Sequence, residues 1–254
     1  MRNDCISLSS KILGREIPVR LLVPQGENLK CLILLHGYNG TQEEWLEQSP
    51  IRQLAEQFHL VVAMPSCGNG YYEDTHEDMP RFVGEELPAY LRETLPVSTN
   101  RDDLFLGGVS MGGFGALLIG AKYPQTFGKI VCFSGAFIIP DVVIGNPGVL
   151  GNANPQYFKE VFGDFETLEG SRKDPLAEAM RAAEKGSVPS VCLLCGREDV
   201  LYQNNVHVVK TLRKHNIPML WYPGQGNHDW SFWNDKLPAV IKWLAEDAIP
   251  EGIN

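Results

Sequence analysis

An α/β fold with a mostly parallel central sheet of about eight strands, helices on both faces, is predicted by three observations. Short apolar runs recur along the 254 residues. The runs are continuous rather than alternating, which suits strands covered on both faces. Longer segments with helical signals separate them, and strand–helix alternation of this kind implies right-handed crossovers.

Taken in order, Ile6–Leu8 and Pro18–Val23 read as two edge strands paired with each other before the parallel part begins. The run CLILLH (31–36) is the first parallel strand. Ser49-Pro50 reads as an N-cap followed by proline at the first helical position, leading into a helix over Ile51–Phe58. Strands follow at LVVAM (60–64) and LFLG (104–107), then a helix over Gly112–Tyr123, rich in small and apolar residues. The run KIVCF (129–133) is a further strand. Residues 136–188, rich in Gly, Pro and Asn before a helix-like Leu176–Lys185, interrupt the alternation as an excursion over one end of the sheet. Strands VCLLC (191–195) and MLWY (219–222) then alternate with helices over Val200–His215 and Phe232–Glu246. No linker or repeat divides the chain, so residues 1–254 are expected to form one domain.

Composition narrows the function classes. Hydrophobic residues make up 44% and charged residues 21%, an ordinary globular balance that excludes a disordered or fibrous chain. A net charge of −9 excludes the basic stripe that nucleic acid requires, and equally an anionic membrane surface. Cys31, Cys132 and Cys192 fall inside apolar runs and read as small buried hydrophobes. Cys192 and Cys195 have C-x-x-C spacing, but on an extended run residues three apart point to opposite faces. No second pair stands at zinc spacing. The polar start Met1–Cys5 has no apolar segment behind it and no run of about 18 apolar residues occurs, so the cytoplasm is the expected location. No cofactor or metal is expected.

The chemistry-bearing motif is Gly108-Val109-Ser110-Met111-Gly112. G-x-S-x-G alone is a weak pattern, and context gives it meaning. It follows the run Leu104–Gly107 directly and opens into a helical segment, the strand–turn–helix setting of a nucleophile elbow. An attacking serine must project from a tight, strained turn, and side chains at the −2 and +2 positions would collide with neighbouring strands. A helix starting there directs the Met111 N–H towards a developing oxyanion. The competing readings are a glycine-rich packing turn and a dinucleotide cradle, the latter as runner-up because G-x-G-x-x-G is absent: position 110 is Ser.

Of six histidines, His228 follows the last apolar run, where a loop at the carboxyl end of the sheet would carry a general base. His207 and His215 lie in a predicted helix, His59 opens a strand and His76 sits in an acidic loop. The orienting acid should fall between serine and histidine in the chain. Asp199, just beyond Val191–Cys195, meets that requirement and would fix the His228 tautomer. Glu198 is its rival; Asp141, Asp164 and Asp174 lie in the excursion. A second oxyanion donor is expected from the Tyr38 N–H, in the loop His36–Gly40, with His36 as a loop-shaping residue.

Together LLHGYNG (34–40), GGVSMGGFGAL (107–117), CGRED (195–199) and GNHDWSFW (226–233) resemble the serine esterases of the esterase D type. Within that group the chain is most similar to the tributyrin esterase and acetylesterase branch. Residues 71–91 and 154–176 extend the resemblance over nearly the whole chain. It implies the α/β-hydrolase fold, Ser110, Asp199 and His228 as the triad, and hydrolysis of short-chain acyl esters, including those of acetylated or feruloylated sugars.

Tyr38, Trp45, Phe137 and Trp230 are the candidate pocket residues. Trp230, Phe232 and Trp233 read first as an anchor for the last helix. The acidic loop 73–78 reads as solvated, with divalent-cation binding as its rival. The expected partner is a small-molecule ester, with neither nucleic acid nor membrane; a homo-oligomer stays open. Two other chemistries compete on the same three residues: a thioesterase such as S-formylglutathione hydrolase, and an acyltransferase. A binding protein that keeps the scaffold without catalysis is the rival from another class.

Overall fold

The computed structural model of the protein describes residues 1–144 and 154–249. Within them eight strands form one sheet: β1 (Arg2–Ser10), β2 (Arg15–Val23), β3 (Cys31–Leu35), β4 (Val61–Pro65), β5 (Leu104–Val109), β6 (Lys129–Phe133), β7 (Ser190–Gly196) and β8 (Met219–Gly224). Their spatial order is β1-β2-β4-β3-β5-β6-β7-β8. β1 and β2 pair antiparallel, as do β2 and β4, and all other pairs are parallel. The first two strands are longer than predicted, and of the two only β1 is an edge. β2 is interior because its last half pairs with β4 through Val19–Leu22.

Among the described residues ten α-helical segments accompany the sheet: α1 (Glu44–Gln48), α2 (Ile51–Gln57), α3 (Met79–Arg81), α4 (Leu87–Thr94), α5 (Met111–Lys122), α6 (Ile139–Val143), α7 (Pro155–Phe162), α8 (Pro175–Glu184), α9 (Tyr202–Lys214) and α10 (Trp230–Glu246). The strand side chains divide cleanly. Cys31, Ile33 and Leu35 enter one core with residues of α5, α8 and α9, while Leu32 and Leu34 enter the other with residues of α2 and α10. Both faces are therefore dry, and this is why the strands lack polar alternation. Cys192 and Cys195 fall into different cores, on opposite faces of β7, and all six cysteines are free thiols.

α5 is buried from Met111 to Ala121 because it lies between the sheet and α8, which requires apolar residues all round. Helices α3 and α4 join through a π turn, Phe82–Glu86. Pro88 has no N–H to give the Gly84 carbonyl, and the Thr126 hydroxyl donates to that carbonyl instead, at 3.1 Å. The expectation of Ser49 as N-cap and Pro50 as first helical residue is corrected at α2, whose N-cap is Pro50 and whose first helical residue is Ile51. Ser49 Oγ does accept from the Ile51 N–H, at 3.3 Å, but it also donates to Trp45 O at 2.6 Å, so one hydroxyl ends α1 and starts α2.

The parallel register levels the carboxyl ends of the strands. Leu35 lies opposite Gly108, Val109 opposite Phe133, and Gly196 opposite Gly224. Loops leaving β3, β5, β6, β7 and β8 therefore meet along one rim. The described part of the excursion holds α6, α7 and α8; residues 145–153 of it lie outside the described residues. Among the described residues no helix is long and apolar enough to cross a membrane.

Candidate active site

Ser110 occupies the turn between β5 and α5 with φ 54° and ψ −113°, a strained backbone for a residue with a side chain. Three main-chain bonds impose it. The Ser110 N–H donates to Phe133 O at 2.8 Å, and Ser110 O accepts from Ala136 at 2.9 Å and Phe114 at 3.1 Å. The flanking glycines are both required by close approach. A Cβ on Gly112 would overlap Leu35 O of the neighbouring strand, as expected. A Cβ on Gly108 would overlap Gly112 O instead, so that clash lies within the elbow and not against another strand.

The structure brings together the three polar side chains that the sequence singles out. His228 Nε2 lies 2.9 Å from Ser110 Oγ. His228 Nδ1 lies 2.9 Å from Asp199 Oδ2 and 3.1 Å from Oδ1. A carboxylate can only accept, so Nδ1 carries the proton and Nε2 is left to accept from the serine hydroxyl. Asp199 is buried and also accepts the Leu201 N–H at 2.8 Å. Burial pushes its carboxyl up, but the hydrogen bond and charge of His228, the Leu201 amide and the Ser134 hydroxyl outweigh that and hold it below its usual value.

The rivals have other work. Glu198 Oε2 accepts the Gly226 N–H at 2.6 Å and so braces the loop that carries His228. Asp164 and Asp174 cap the helical turns that follow them. Asp141 Oδ2 accepts from Asn204 Nδ2 at 2.5 Å. His36 is buried, its Nε2 accepting the Cys67 N–H at 3.0 Å and its Nδ1 lying 2.7 Å from Gly37 O. That pairing fixes the neutral tautomer, and burial lowers the pKa of the ring.

Ser110 and His228 open into a cleft of about 450 Å³. Met111 is the first residue of α5, so its N–H is one of the amides a helix start leaves unpaired. Tyr38 lies on the wall of the same cleft, in the loop after β3. Of the predicted pocket residues, Tyr38 and Trp230 line it; Trp45 and Phe137 do not. Trp45 is 1% exposed because its Nε1–H reaches back to Leu35 O at 3.0 Å, leaving its ring edge-on behind Trp230 at 5.0 Å. Phe137 folds back under the main chain at Gly135, where a Cβ would strike its ring. It lines a small apolar cavity beside Phe114 and His207 instead.

Tyr71, Tyr157, Phe158 and Trp233 complete the aromatic wall. The sequence reading missed the first three as site residues, although Tyr71 and the pair 157–158 lie in segments that carried the resemblance. Only the fold shows that α7 returns to the rim, where the Tyr157 hydroxyl donates to Asn69 O and the ring lies edge-on to Tyr38 at 5.4 Å. Trp233 serves both roles considered for its cluster. It is buried in the core below α10, and its ring stands edge-on to His228 at 5.1 Å while its Nε1–H donates to Ser134 Oγ at 3.0 Å.

The acidic loop is not simply solvated. Glu77 forms a two-pronged pair with Arg15, at 2.6 and 2.7 Å, Asp78 caps α3, and Glu73 is buried. Among the described residues no group of three or more His, Cys, Asp and Glu side chains is placed to hold a metal ion.

Comparison with known proteins adds a family. The family model described as putative esterase matches residues 10–244. The chain is 35% identical to an acetyl esterase of Caldicellulosiruptor saccharolyticus, covering 95% of this chain and 97% of that protein. It is 31% identical to the mouse S-formylglutathione hydrolase, but over only 44% of this chain and 49% of that one. Among solved structures, FphF, a fluorophosphonate-binding serine hydrolase of Staphylococcus aureus, superposes with a TM-score of 0.88. That match has 24% identity and covers 97% of this chain and 99% of the other.

Proposed function

We propose, from the premise that the chain belongs to the esterase family and is a carboxylic ester hydrolase, that it cleaves short-chain acyl esters, acetyl esters foremost, through an acyl-enzyme on Ser110. The observation that carries this reading is the unbroken hydrogen-bonded chain Ser110–His228–Asp199 opening into a largely aromatic cleft.

His228 takes the hydroxyl proton as Ser110 Oγ attacks the ester carbonyl. The Met111 and Tyr38 N–H groups receive the oxyanion. His228 then protonates the departing alcohol. Water, activated by the same imidazole, breaks the acyl–serine bond and returns the proton to Ser110. Asp199 stays ionised throughout and stabilises the imidazolium that forms in each half-reaction.

The lining also bears on the leaving group. Among the described residues it contains the carboxyls of Glu44 and Asp229 and neither lysine nor arginine. A glutathione thioester carries two carboxylates and one ammonium, a net negative charge that meets two carboxyls and no lining cation among the described residues, so oxygen esters of neutral alcohols or sugars fit better than S-formylglutathione. The partner is thus a neutral small molecule, not nucleic acid or membrane. Six free thiols accord with a cytoplasmic setting.

A substrate panel tests the reading: p-nitrophenyl esters from acetyl to octanoyl, acetylated xylo-oligosaccharides, feruloyl esters and S-formylglutathione. The expected order places acetyl and butyryl esters first. S-formylglutathione cleaved faster than every oxygen ester would overturn it.

A further inference from the structure

The loop His36–Gly40 carries the Tyr38 amide, and three contacts hold its ends. Tyr72 Oη donates to His36 O at 2.9 Å, and His36 Nε2 accepts the Cys67 N–H. At the far end Asn39 and Asn69 exchange two hydrogen bonds of 2.8 Å. None of these reaches the Gly37–Tyr38 peptide unit; its carbonyl accepts from His36 Nδ1 at 2.7 Å and from the Gly40 N–H at 3.0 Å, which leaves the Gly37 N–H, one peptide unit earlier, to be held by a side chain. Gly37 has no side chain to fix its own rotation, and the Tyr38 side chain is 49% exposed and gives the loop little anchorage.

One side chain occupies the inside of this bend. Glu44 Oε2 accepts the Gly37 N–H at 2.7 Å. A Cβ built on Gly40 would lie 2.6 Å from the same oxygen and 2.8 Å from Cδ, and one built on Gly37 would lie 3.6 Å from Oε1. The loop is therefore wrapped around the carboxyl group, closed by the Gly40 N–H bond to Gly37 O at 3.0 Å. Glu44 itself is fixed from behind, because Trp45 is locked to Leu35 O at the end of β3. Glu44 also lines the cleft that holds Ser110.

We propose that Glu44 is a positioning residue for oxyanion stabilisation: its carboxyl accepts the Gly37 N–H and so holds the next amide, that of Tyr38, aimed at the reacting carbonyl. The inference rests on the reading of Tyr38 as an oxyanion donor. What the loop needs from residue 44 is an acceptor at the right reach, not a negative charge; a full charge beside a developing oxyanion opposes it. Burial pushes the Glu44 carboxyl up while the Gly37 amide pulls it down, with burial the larger effect. Losing one oxyanion donor outright costs roughly 100- to 1,000-fold in kcat. A donor left in place but unbraced costs less, about 10- to 100-fold.

Three variants separate reach from charge. Glu44→Gln keeps an acceptor at the same distance and should hold kcat within about 3-fold of wild type. Glu44→Asp keeps the charge, falls short by one methylene, and should lose about 10-fold. Glu44→Ala should lose the most. KM for p-nitrophenyl acetate should stay within about 3-fold in all, because the ground-state ester carries no oxyanion. Rates are normalised to sites labelled by a fluorophosphonate, so a fraction of misfolded protein cannot imitate the effect. If the alanine variant does not fold, the Asp and Gln pair decides alone. An Asp variant at wild-type kcat, or a folded Gln variant as slow as the Asp variant, overturns the inference. A wild type that hydrolyses no ester overturns the reading beneath it and the inference with it.

Discussion

Asp199 and Glu73 are both carboxyls at 5% exposure, yet they hold their protons in opposite ways. Asp199 faces His228, the Leu201 amide and the Ser134 hydroxyl, and lies below its usual value despite its burial. Neither oxygen of Glu73 has a hydrogen-bond partner among the described residues. The nearby cations are engaged elsewhere: Lys122 lies 3.9 Å from Asp74, and Lys173 donates to Thr75 Oγ1 and Phe162 O. Burial therefore pushes the Glu73 carboxyl up to about 9. Burial alone does not decide a charge; the partners supplied at the buried position do. The rim of the sheet supplies them to Asp199, and the loop between β4 and α3 does not supply them to Glu73.

The largest effects are expected on the Asp199 side. Ser110→Ala should remove turnover, by roughly 10⁴- to 10⁶-fold in kcat, with the melting temperature retained. Asp199→Asn should cost about 10⁴-fold, because an amide that donates to Nδ1 leaves the proton on Nε2, where the serine hydroxyl needs an acceptor. An Asn variant within 10-fold of wild type would mean that the carboxylate does not set the tautomer.

On the other side, Glu73→Gln should change stability and leave activity alone. The sign follows from proton binding. Above pH 4.5 the unfolded chain has released this proton, while the folded chain keeps it up to about pH 9. The native state binds more protons in that window, so the wild type loses stability as pH rises through it. The unfolding free energy of the wild type should fall from pH 5 to pH 9, by about 1.4 kcal/mol per pH unit at most, and that of the Gln variant should fall less over the same range. Parallel slopes would contradict the account of Glu73. The smallest effect is expected at Trp233→Phe, which keeps an aromatic edge against His228 but loses the 3.0 Å bond to Ser134 Oγ. A loss of a few-fold in kcat, equivalent to about 1 kcal/mol, should appear without a change in acyl preference.

The same contrast explains what could be read before the fold was known. Ser110, His228 and Asp199 were legible because strand ends leave punctuation: an apolar run, a glycine turn, then the polar residue. The parallel sheet and its buried helices were legible because both faces are dry, which leaves continuous apolar runs. Trp45 and Phe137 were misplaced as pocket residues because residue type does not tell a wall from the layer behind it. That depends on Trp45 turning its N–H to Leu35 O and on Phe137 folding under Gly135. Tyr157 and Phe158 reach the cleft only through the return of α7 over the rim, and Glu44 acts only through a loop bent around it. Glu73 sits in a stretch of charges that reads as solvated, and nothing local marks the one member that turns inward.

The central claim is that His228, held by Asp199, makes the Ser110 hydroxyl the group that takes the acyl chain. Mass spectrometry of protein quenched during the first turnovers of p-nitrophenyl acetate tests it directly. The account predicts one acetyl group per chain on the peptide containing Ser110, absent from Ser110→Ala and released on further incubation. Turnover with no adduct on that peptide, or with acetyl accumulating on another residue of the wild type at the rate of hydrolysis, would contradict it.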